Sequence, residues 1–126
     1  MTAQAPVSTK PYDVIILGAG FGGLCMAIKL REQGNDNFII LEKAGEVGGT
    51  WRDNSYPGCA CDVQSHMYSF SFEGKHDWTK RYAPWHEIQD YILNTTEKYG
   101  IRPFCRFHQE VTAAHFDEST GLWTIS

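Results

Sequence analysis

A strand, a glycine-rich turn, a helix and a second strand follow one another near the N-terminus, and this order constrains the fold most. Residues 13–17 (DVIIL) form a largely apolar, β-branched run, which is typical of a parallel strand covered on both faces. Four glycines lie within the next segment, 18–23, and apolar residues at helical spacing then predict a helix that ends at Gly34. Residues 38–41 (FIIL) predict a second buried strand. The sequence therefore predicts one βαβ unit.

The glycine turn has the spacing of a phosphate-binding turn. Gly18, Gly20 and Gly23 fit the pattern G-x-G-x-x-G, with Phe21 and Gly22 between them, directly after a strand and at the start of a helix. The first glycine allows the tight turn, the second lets a pyrophosphate approach the backbone, and the third lets the helix lie close to the strand. The free N–H groups of the helix N-terminus then face the phosphates. We therefore expect an adenine-dinucleotide site here.

An acidic residue stands where the ribose of such a cofactor would lie. Glu42 ends the second predicted strand, and we expect its carboxylate to accept hydrogen bonds from both ribose hydroxyls, with Lys43 beside it as a further contact. Each charged hydrogen bond of this kind contributes roughly 1.5–3 kcal/mol. A 2′-phosphate would meet the carboxylate, so the sequence favours FAD or NAD over NADP at this first site.

The middle of the chain loses its periodicity. Residues 45–62 are rich in glycine and predict a long ordered loop or a nest of turns, which inside a compact domain is usually functional or disordered. The aromatic residues in it favour order. Residues 68–72 (YSFSF) alternate at period two and predict a short strand or extended segment.

The last third of the chain predicts one helix and three strands. The helix spans residues 86–99 and stops at Gly100, and strands are predicted at 104–107, 111–116 and 122–125, the last two joined by a turn. One stripe of the helix is assigned to the core: Ile88, Tyr91, Ile92 and Tyr99.

These elements predict an α/β fold, namely a Rossmann-like βαβ unit with a small appended β-meander. Two central strands are fewer than a doubly wound sheet needs, so we expect an incomplete doubly wound domain and a longer parent protein. Residues 1–10 are expected to form a flexible lead-in, and residues 11–126 the N-terminal part of the dinucleotide-binding domain.

Composition excludes several other classes. The 126 residues allow one domain, and a formal charge of −4 without a basic run argues against nucleic-acid binding. The longest strongly apolar stretch, residues 14–17, is too short to cross a membrane. With no export signal, we expect a cytoplasmic protein whose four cysteines are reduced thiols. Cys59 and Cys61 have a spacing that is not a zinc pattern, so no metal site is predicted.

Four further motifs carry a resemblance to a known family. They are GGTW at residues 48–51, YPG at 56–58, CD at 61–62 and YSFSF at 68–72. Together with the glycine turn they resemble the N-terminal part of the Baeyer–Villiger monooxygenases, which are class B flavoprotein monooxygenases. The similarity covers nearly the whole chain from residue 13 to 126.

The resemblance implies two cofactors and a reaction. Members of this family hold FAD in the first Rossmann unit and NADPH in a second, inserted one, and convert ketones to esters or lactones with O₂ through a C4a-peroxyflavin. The implied partners are therefore a small ketone and O₂, together with the remainder of a longer chain, and neither nucleic acid nor a membrane.

The resemblance also implies roles for single residues. The glycine turn would line the FAD pyrophosphate, Thr50 and Trp51 would lie along the FAD, and Tyr68 would contact it further on. Val111 would supply backbone contacts near the adenine. Asp62 would lie beside the flavin ring, oriented toward an arginine of the nicotinamide domain, and is the implied catalytic residue.

This chain departs from the family pattern at several points. Arg52 and Asp53 replace the aromatic pair that often follows the tryptophan. The fingerprint F-x-G-x-x-x-H-x-x-x-W, a glycine-rich turn for a second dinucleotide, the NADPH domain with its catalytic arginine and the C-terminal part of the FAD domain are absent, so this piece alone is not expected to catalyse oxygenation. Two alternatives stay open: a flavoprotein that oxygenates nitrogen or sulfur, and a non-catalytic dinucleotide-binding fragment.

Overall fold

The structure is a computed structural model that describes Ser8 and residues 10–126. Apart from Ser8 and Lys10, the predicted lead-in over residues 1–10 lies outside the described residues.

The predicted βαβ unit is confirmed. Strand β1 (Val14–Leu17) is followed by helix α1 (Phe21–Glu32) and strand β2 (Phe38–Leu41), and the two strands pair in parallel over four residues each. The β-branched side chains suit a pleated sheet, and Ile16, Ile39 and Ile40 are buried. At the carboxyl end of the sheet, the glycine turn thus follows β1 and Glu42 follows β2.

Helix α1 begins and ends as the glycines predict. Gly20 is its N-cap, and beyond the C-cap Gln33 the chain turns through Gly34, whose φ is +78°. The N–H of Asn35 donates to the carbonyl of Leu30 at 3.0 Å, which closes the helix end in a Schellman-type turn.

Gly23 is the position where the first helical turn touches the strand. A Cβ atom added there would lie 2.0 Å from the carbonyl oxygen of Gly18 and 3.2 Å from a methyl group of Ile16. Only glycine permits this approach. By contrast, a Cβ added at Gly22, one residue earlier in the helix, would meet nothing within 4 Å.

The loop predicted over residues 45–62 is ordered and contains a feature that the sequence did not indicate. A one-turn helix, α2 (Thr50–Asp53), follows the Gly48–Gly49 pair. The buried side chains of Val47 and Trp51 anchor the segment in the core.

Residues 68–72, which were predicted to form a short strand or an extended segment, do not form a strand. A short 3-10 helix (Ser65–Met67) precedes this segment, and the segment itself forms a turn with an isolated bridge between Phe70 and Glu73. The backbone N–H of Phe70 donates to the Tyr91 hydroxyl at 3.0 Å, and that hydroxyl donates to the carbonyl of Glu73 at 2.7 Å. A side chain therefore supplies the hydrogen bonds that a neighbouring strand would have supplied.

The predicted helix over residues 86–99 is confirmed as α3 (Trp85–Lys98), with Gly100 beyond it at φ +62°. Its apolar stripe is largely buried as predicted, with Ile88 and Ile92 fully buried and Tyr99 partly exposed. The guanidinium of Arg31 donates to the carbonyl of Tyr99 at 2.9 Å and so joins the C-terminal ends of α1 and α3. Within the described residues, no helix is long and apolar enough to span a membrane.

The strand predicted over residues 104–107 is shorter than expected and belongs to a different sheet from the one predicted. After a 3-10 helix (Arg102–Phe104), strand β3 (Cys105–Arg106) pairs in parallel with β2, so the described part of the chain has a parallel sheet of order β1-β2-β3. The assignment of this strand to an appended meander is therefore wrong. It adds a third strand to the parallel sheet because the long connection through α3 allows a parallel crossover.

The remaining appended element is a two-stranded hairpin instead of a meander. Strands β4 (Ala114–Asp117) and β5 (Leu122–Ile125) pair antiparallel, and Gly121 at φ +69° completes the predicted turn. β4 is shorter than the predicted 111–116 because residues 111–113 lie outside the strand. The fold is α/β with a Rossmann-like parallel sheet, as predicted.

The contact between Gly23 and Gly18 leads to a test with a matched control in the same helix. We expect Gly23→Ala to lower the free energy of unfolding by about 1–3 kcal/mol, because the new methyl group must displace backbone. Gly22→Ala should instead raise it by about 0.5–1 kcal/mol, because alanine favours the helix and has open space. Urea unfolding followed by circular dichroism measures both, and equal effects of the two variants would contradict the account.

Candidate functional site

A groove of about 430 Å³ opens where β1 and β2 end. It is lined by the following residues: Leu17, Gly18, Gly20, Leu41, Glu42, Lys43, Gly49, Thr50, Arg52, Asp53, Gln109, Glu110 and Val111. Ligands of open parallel sheets bind at this edge, outside the carboxyl ends of the strands. The groove therefore lies where the fold predicts a binding site.

The N-terminus of α1 points its amides toward this end of the sheet. In the described part of the chain no side chain caps this helix, and its first turn holds no acidic residue. The first N–H groups of a helix have no partner inside it, and they carry about half a positive charge. Such an end can bind an anion without a basic side chain.

Two glycine turns meet at the floor of the groove. The N–H of Gly48 donates to the carbonyl of Ala19 at 2.9 Å, which joins the second turn to the first. A Cβ added at Gly49 would lie 3.2 Å from the Cα of Gly20, and Gly49 has a φ of +55°. The two backbones are thus in direct contact, and the open side of Gly20 is left for a ligand.

Gln89 of α3 supports the second turn from behind, a role that the sequence analysis missed. Its side chain is 9% exposed, and its Nε2 donates to the carbonyl of Val47 at 2.8 Å. A Cβ added at Gly48, whose φ is +130°, would lie 2.0 Å from the Oε1 of Gln89. Within the described residues, this Oε1 is buried without a hydrogen-bond partner. The signal in the sequence that could have indicated this role is that Gln89, a polar residue, stands one helical turn before Ile92, which was assigned to the core.

Glu42 is buried at one end of the groove, and protein groups already bind its carboxylate. Its Oε2 accepts from the N–H of Ala19 at 2.9 Å, and its Oε1 accepts from the N–H of Ala44 at 2.9 Å. The guanidinium of Arg52 lies 3.3 Å from the same Oε1. A carboxylate has about four acceptor positions, so the geometry leaves fewer positions for a ligand than the sequence suggests.

Arg52 is the groove residue whose contacts the sequence could not indicate. Its side chain is 15% exposed and forms ion pairs with both Glu42 and Asp53, and its Nη1 also donates to the carbonyl of Glu46. The clearest signal in the sequence for a special role of Arg52 was that it stands, with Asp53, where the resembled family often has two aromatic residues.

Trp51 and Tyr68 are close together but lie outside the groove lining. The indole Nε1 of Trp51 donates to the Tyr68 hydroxyl at 3.1 Å, and the two rings meet edge to face. The ring of Phe21 packs edge-on against Tyr68, with the centroids 5.4 Å apart. This aromatic group connects the start of α1 with α2.

Asp62 is exposed and precedes Tyr68 by six residues in the chain. Burial raises the pKa of Tyr68 above its ordinary value, the hydrogen bond from Trp51 lowers it, and the charges of Cys61 and Asp62 raise it further. The Tyr68 hydroxyl therefore stays protonated at neutral pH.

The structure thus divides the predicted site residues into two groups. The groove brings together Gly18, Gly20, Glu42, Lys43, Thr50 and Val111. The other predicted residues lie outside its lining: Phe21, Gly22 and Gly23 form the first turn of α1, Trp51 is hydrogen-bonded to Tyr68, whose ring packs against Phe21, and Asp62 is exposed. The role of each residue stays a prediction.

Other clefts lie elsewhere on the described surface. One of about 600 Å³ lies beside α3, and one of about 550 Å³ lies between the outer side of β1 and the hairpin. The glycine turn lines neither of them. Across the described residues, no group of three His, Cys, Asp or Glu could hold a metal ion.

Comparison with known proteins agrees with this geometry. Residues 16–83, which include the last two residues of β1, all of α1 and β2 and both glycine turns, match the model of the NAD(P)-binding Rossmann-like domain. The chain belongs to the NAD(P)-binding Rossmann-like family. The match ends at residue 83, so β3 and the hairpin lie beyond it.

Individual relatives of this Rossmann-like chain are monooxygenases. A Baeyer-Villiger monooxygenase of Pseudomonas aeruginosa is 48% identical over 98% of this chain and 24% of its own length. An FAD-binding monooxygenase of Aspergillus terreus is 42% identical over 99% of this chain and 23% of its own length.

A solved structure agrees with these relatives. An oxidized steroid monooxygenase bound to NADP has a TM-score of 0.86 and 38% identity over 90% of this chain and 22% of its own. The resemblance to Baeyer–Villiger monooxygenases is confirmed, and the chain spans about a quarter of the length of these relatives.

The contact between Gly48 and Gln89 can be tested by a double-mutant cycle. We expect Gly48→Ala to lower the free energy of unfolding by about 3 kcal/mol or more, because a methyl group at this φ is strained and also collides with the amide. In a Gln89→Ala background the collision is gone, and Gly48→Ala should cost only about 1–2 kcal/mol. Additive effects in urea unfolding would show that Gln89 does not support the turn.

Proposed function

We propose that residues 11–126 form the N-terminal part of the FAD-binding domain of an NADPH- and O₂-dependent flavin monooxygenase. The observation that carries this proposal is the groove at the carboxyl end of β1 and β2, between two glycine turns and beside Glu42. The names of the relatives support the reaction class.

The groove suits the adenosine diphosphate half of FAD. Its charged side chains are three acids and two bases (Glu42, Asp53 and Glu110 against Lys43 and Arg52) and so supply no excess of positive charge. A pyrophosphate would instead be held by the uncapped N-terminus of α1, close to the open side of Gly20. The acidic Glu42 favours a ribose with free hydroxyls, which FAD has.

The reaction and its substrates follow from the relatives. FAD supplies redox and oxygen chemistry when bound, and NADPH would be held by a domain outside this chain. A ketone that becomes an ester or lactone is the substrate class that the name Baeyer-Villiger monooxygenase supports. This chain's share is to bind one half of the FAD and to exclude water from the groove. A cytoplasmic location stays a prediction.

Asp62 is the proposed catalytic residue. It is exposed, its charge acts on the Tyr68 hydroxyl, and it lies outside the lining of the groove. This position suits a group that acts at the flavin ring and not at the adenosine end. Trp51 and Tyr68, which are hydrogen-bonded to each other, would form the wall between these two regions.

Retention of FAD is the direct test of the proposed function. The chain is mixed with excess FAD, desalted, and its absorbance spectrum recorded. We expect flavin to be retained, and Gly20→Leu to weaken binding by about a hundredfold or more, because the isobutyl group fills the space that the pyrophosphate needs.

The control for this variant is Gly74→Leu, because Gly74 lies outside the groove and a Cβ there meets His76 at an ordinary 3.4 Å. It should bind FAD like the parent chain. Equal binding by the parent and Gly20→Leu would remove the groove from the site, and loss of flavin by all three chains would show that this segment does not hold FAD by itself.

A second prediction separates catalysis from binding. In this chain Asp62→Ala should leave FAD affinity within about twofold of the parent, because Asp62 does not line the groove. In the full-length protein that carries this segment, the same change should slow turnover about a hundredfold or more, in the range of a catalytic acid–base group. The exposed Glu118→Gln serves as control, and normal turnover by Asp62→Ala would exclude Asp62 from the mechanism.

A further inference from the structure

We propose that Arg52 is a positioning residue that sets the carboxylate of Glu42 for the adenosine ribose, and so determines how strongly the groove binds a ligand that carries the ribose hydroxyls. The inference rests on the proposed function for its binding measurement. It stands on a contact that neither the family model nor the names of the relatives describe.

The guanidinium of Arg52 has almost all its donors engaged. Its Nε and Nη2 both bind Asp53 at 2.9 Å, and its Nη1 reaches the carbonyl of Glu46 and the Oε1 of Glu42, the latter at 3.3 Å. The planar fork of arginine fixes these directions together, which a lysine ammonium cannot do. Arg52 therefore joins α2 to the segment that follows β2.

The contact determines which oxygen of Glu42 is free. Oε1 accepts from the N–H of Ala44 and also lies 3.3 Å from the Arg52 guanidinium in an ion pair, so it is the less open of the two oxygens. Oε2 accepts only from the N–H of Ala19 among the described residues, so one acceptor position remains there. That position is the one from which Glu42, a groove residue, can accept from a ribose hydroxyl.

Burial makes the pair interdependent. The side chain of Glu42 is 5% exposed and that of Arg52 is 15% exposed. A buried carboxylate needs a compensating charge or a full set of hydrogen bonds. Without Arg52 the carboxylate has two backbone donors only, and rotation toward solvent becomes favourable.

A matched control exists in the same region. Arg102 is also 15% exposed and binds the side chain of Glu46 at 2.8 Å, so it contacts the same loop as Arg52 without contacting Glu42 or lining the groove. A general loosening of the loop would follow from the loss of either arginine. Loss of ribose binding would follow from the loss of Arg52 alone.

The experiment compares Arg52→Met, Arg52→Lys and Arg102→Met in the 126-residue chain. Dissociation constants are measured for FAD and for 2′,3′-dideoxy-ADP, which has the adenine and the phosphates but lacks the two ribose hydroxyls. We expect Arg52→Met to weaken FAD binding about tenfold and to leave 2′,3′-dideoxy-ADP within about twofold. Arg52→Lys should recover part of this loss because it keeps the charge, and Arg102→Met should leave both affinities unchanged.

A second measurement needs no cofactor. Amide hydrogen exchange is followed at Ala19, whose N–H is bound by the Oε2 of Glu42. We expect exchange at Ala19 to become about tenfold faster in Arg52→Met and to stay unchanged in Arg102→Met. If the parent chain binds no FAD, the proposed function fails for this segment while the exchange comparison still decides the role of Arg52.

Three results overturn the inference. One is unchanged FAD affinity in Arg52→Met, and another is an equal loss of affinity for FAD and for 2′,3′-dideoxy-ADP, since a structural effect would lower both. The third is unchanged exchange at Ala19, or faster exchange in both methionine variants.

Discussion

Close contact between backbones at the glycine turns holds this end of the molecule together. A Cβ added at Gly23 would lie 2.0 Å from the carbonyl oxygen of Gly18. A Cβ added at Gly49 would lie 3.2 Å from the Cα of Gly20. These contacts fix the start of α1 against β1 and bring the loop that carries α2 over it. Without them the N-terminus of α1 and the ends of the strands would not share a groove.

The negative charge of Glu42 at the groove is balanced by backbone hydrogen bonds and one ion pair, and the groove has no excess of basic residues. The carboxylate of Glu42 joins the turn after β1 to the loop after β2 through the N–H groups of Ala19 and Ala44. Arg52 compensates that carboxylate from α2. An anionic ligand would therefore meet backbone amides at the helix end and a neutralised acid at the ribose end.

The local pattern predicted the βαβ unit, α3 and the hairpin turn, because each depends on periodicity and on glycines with positive φ at Gly34, Gly100 and Gly121. It failed where a distant side chain decided the structure. The alternating residues 68–72 do not form a strand because the hydroxyl of Tyr91 takes the backbone hydrogen bonds there. β3 was assigned to the wrong sheet because two residues carry too little pattern to indicate their partner strand.

The sequence predicted where the site lies, but it did not predict which side chains contact one another there. The glycine motif and Glu42 indicated the groove, yet the burial of Arg52 against Glu42 depends on tertiary packing that no spacing in the sequence indicates. The support that Gln89 gives to Gly48 joins positions far apart in sequence and was equally invisible. The Gln89 contact arises from the packing of α3 on the loop that carries Gly48, and the Arg52 contact joins α2 to Glu42.

An NMR titration of the ¹⁵N-labelled chain with FAD shows whether the groove between the two glycine turns binds the adenosine half of FAD. If it does, the largest amide shifts occur at Gly18, Gly20, Phe21 and Gly49, with smaller shifts at the amides that Glu42 binds. Shifts concentrated in the cleft beside α3, around Glu73 and Lys98, with the glycine turns unaffected, would contradict binding in the groove.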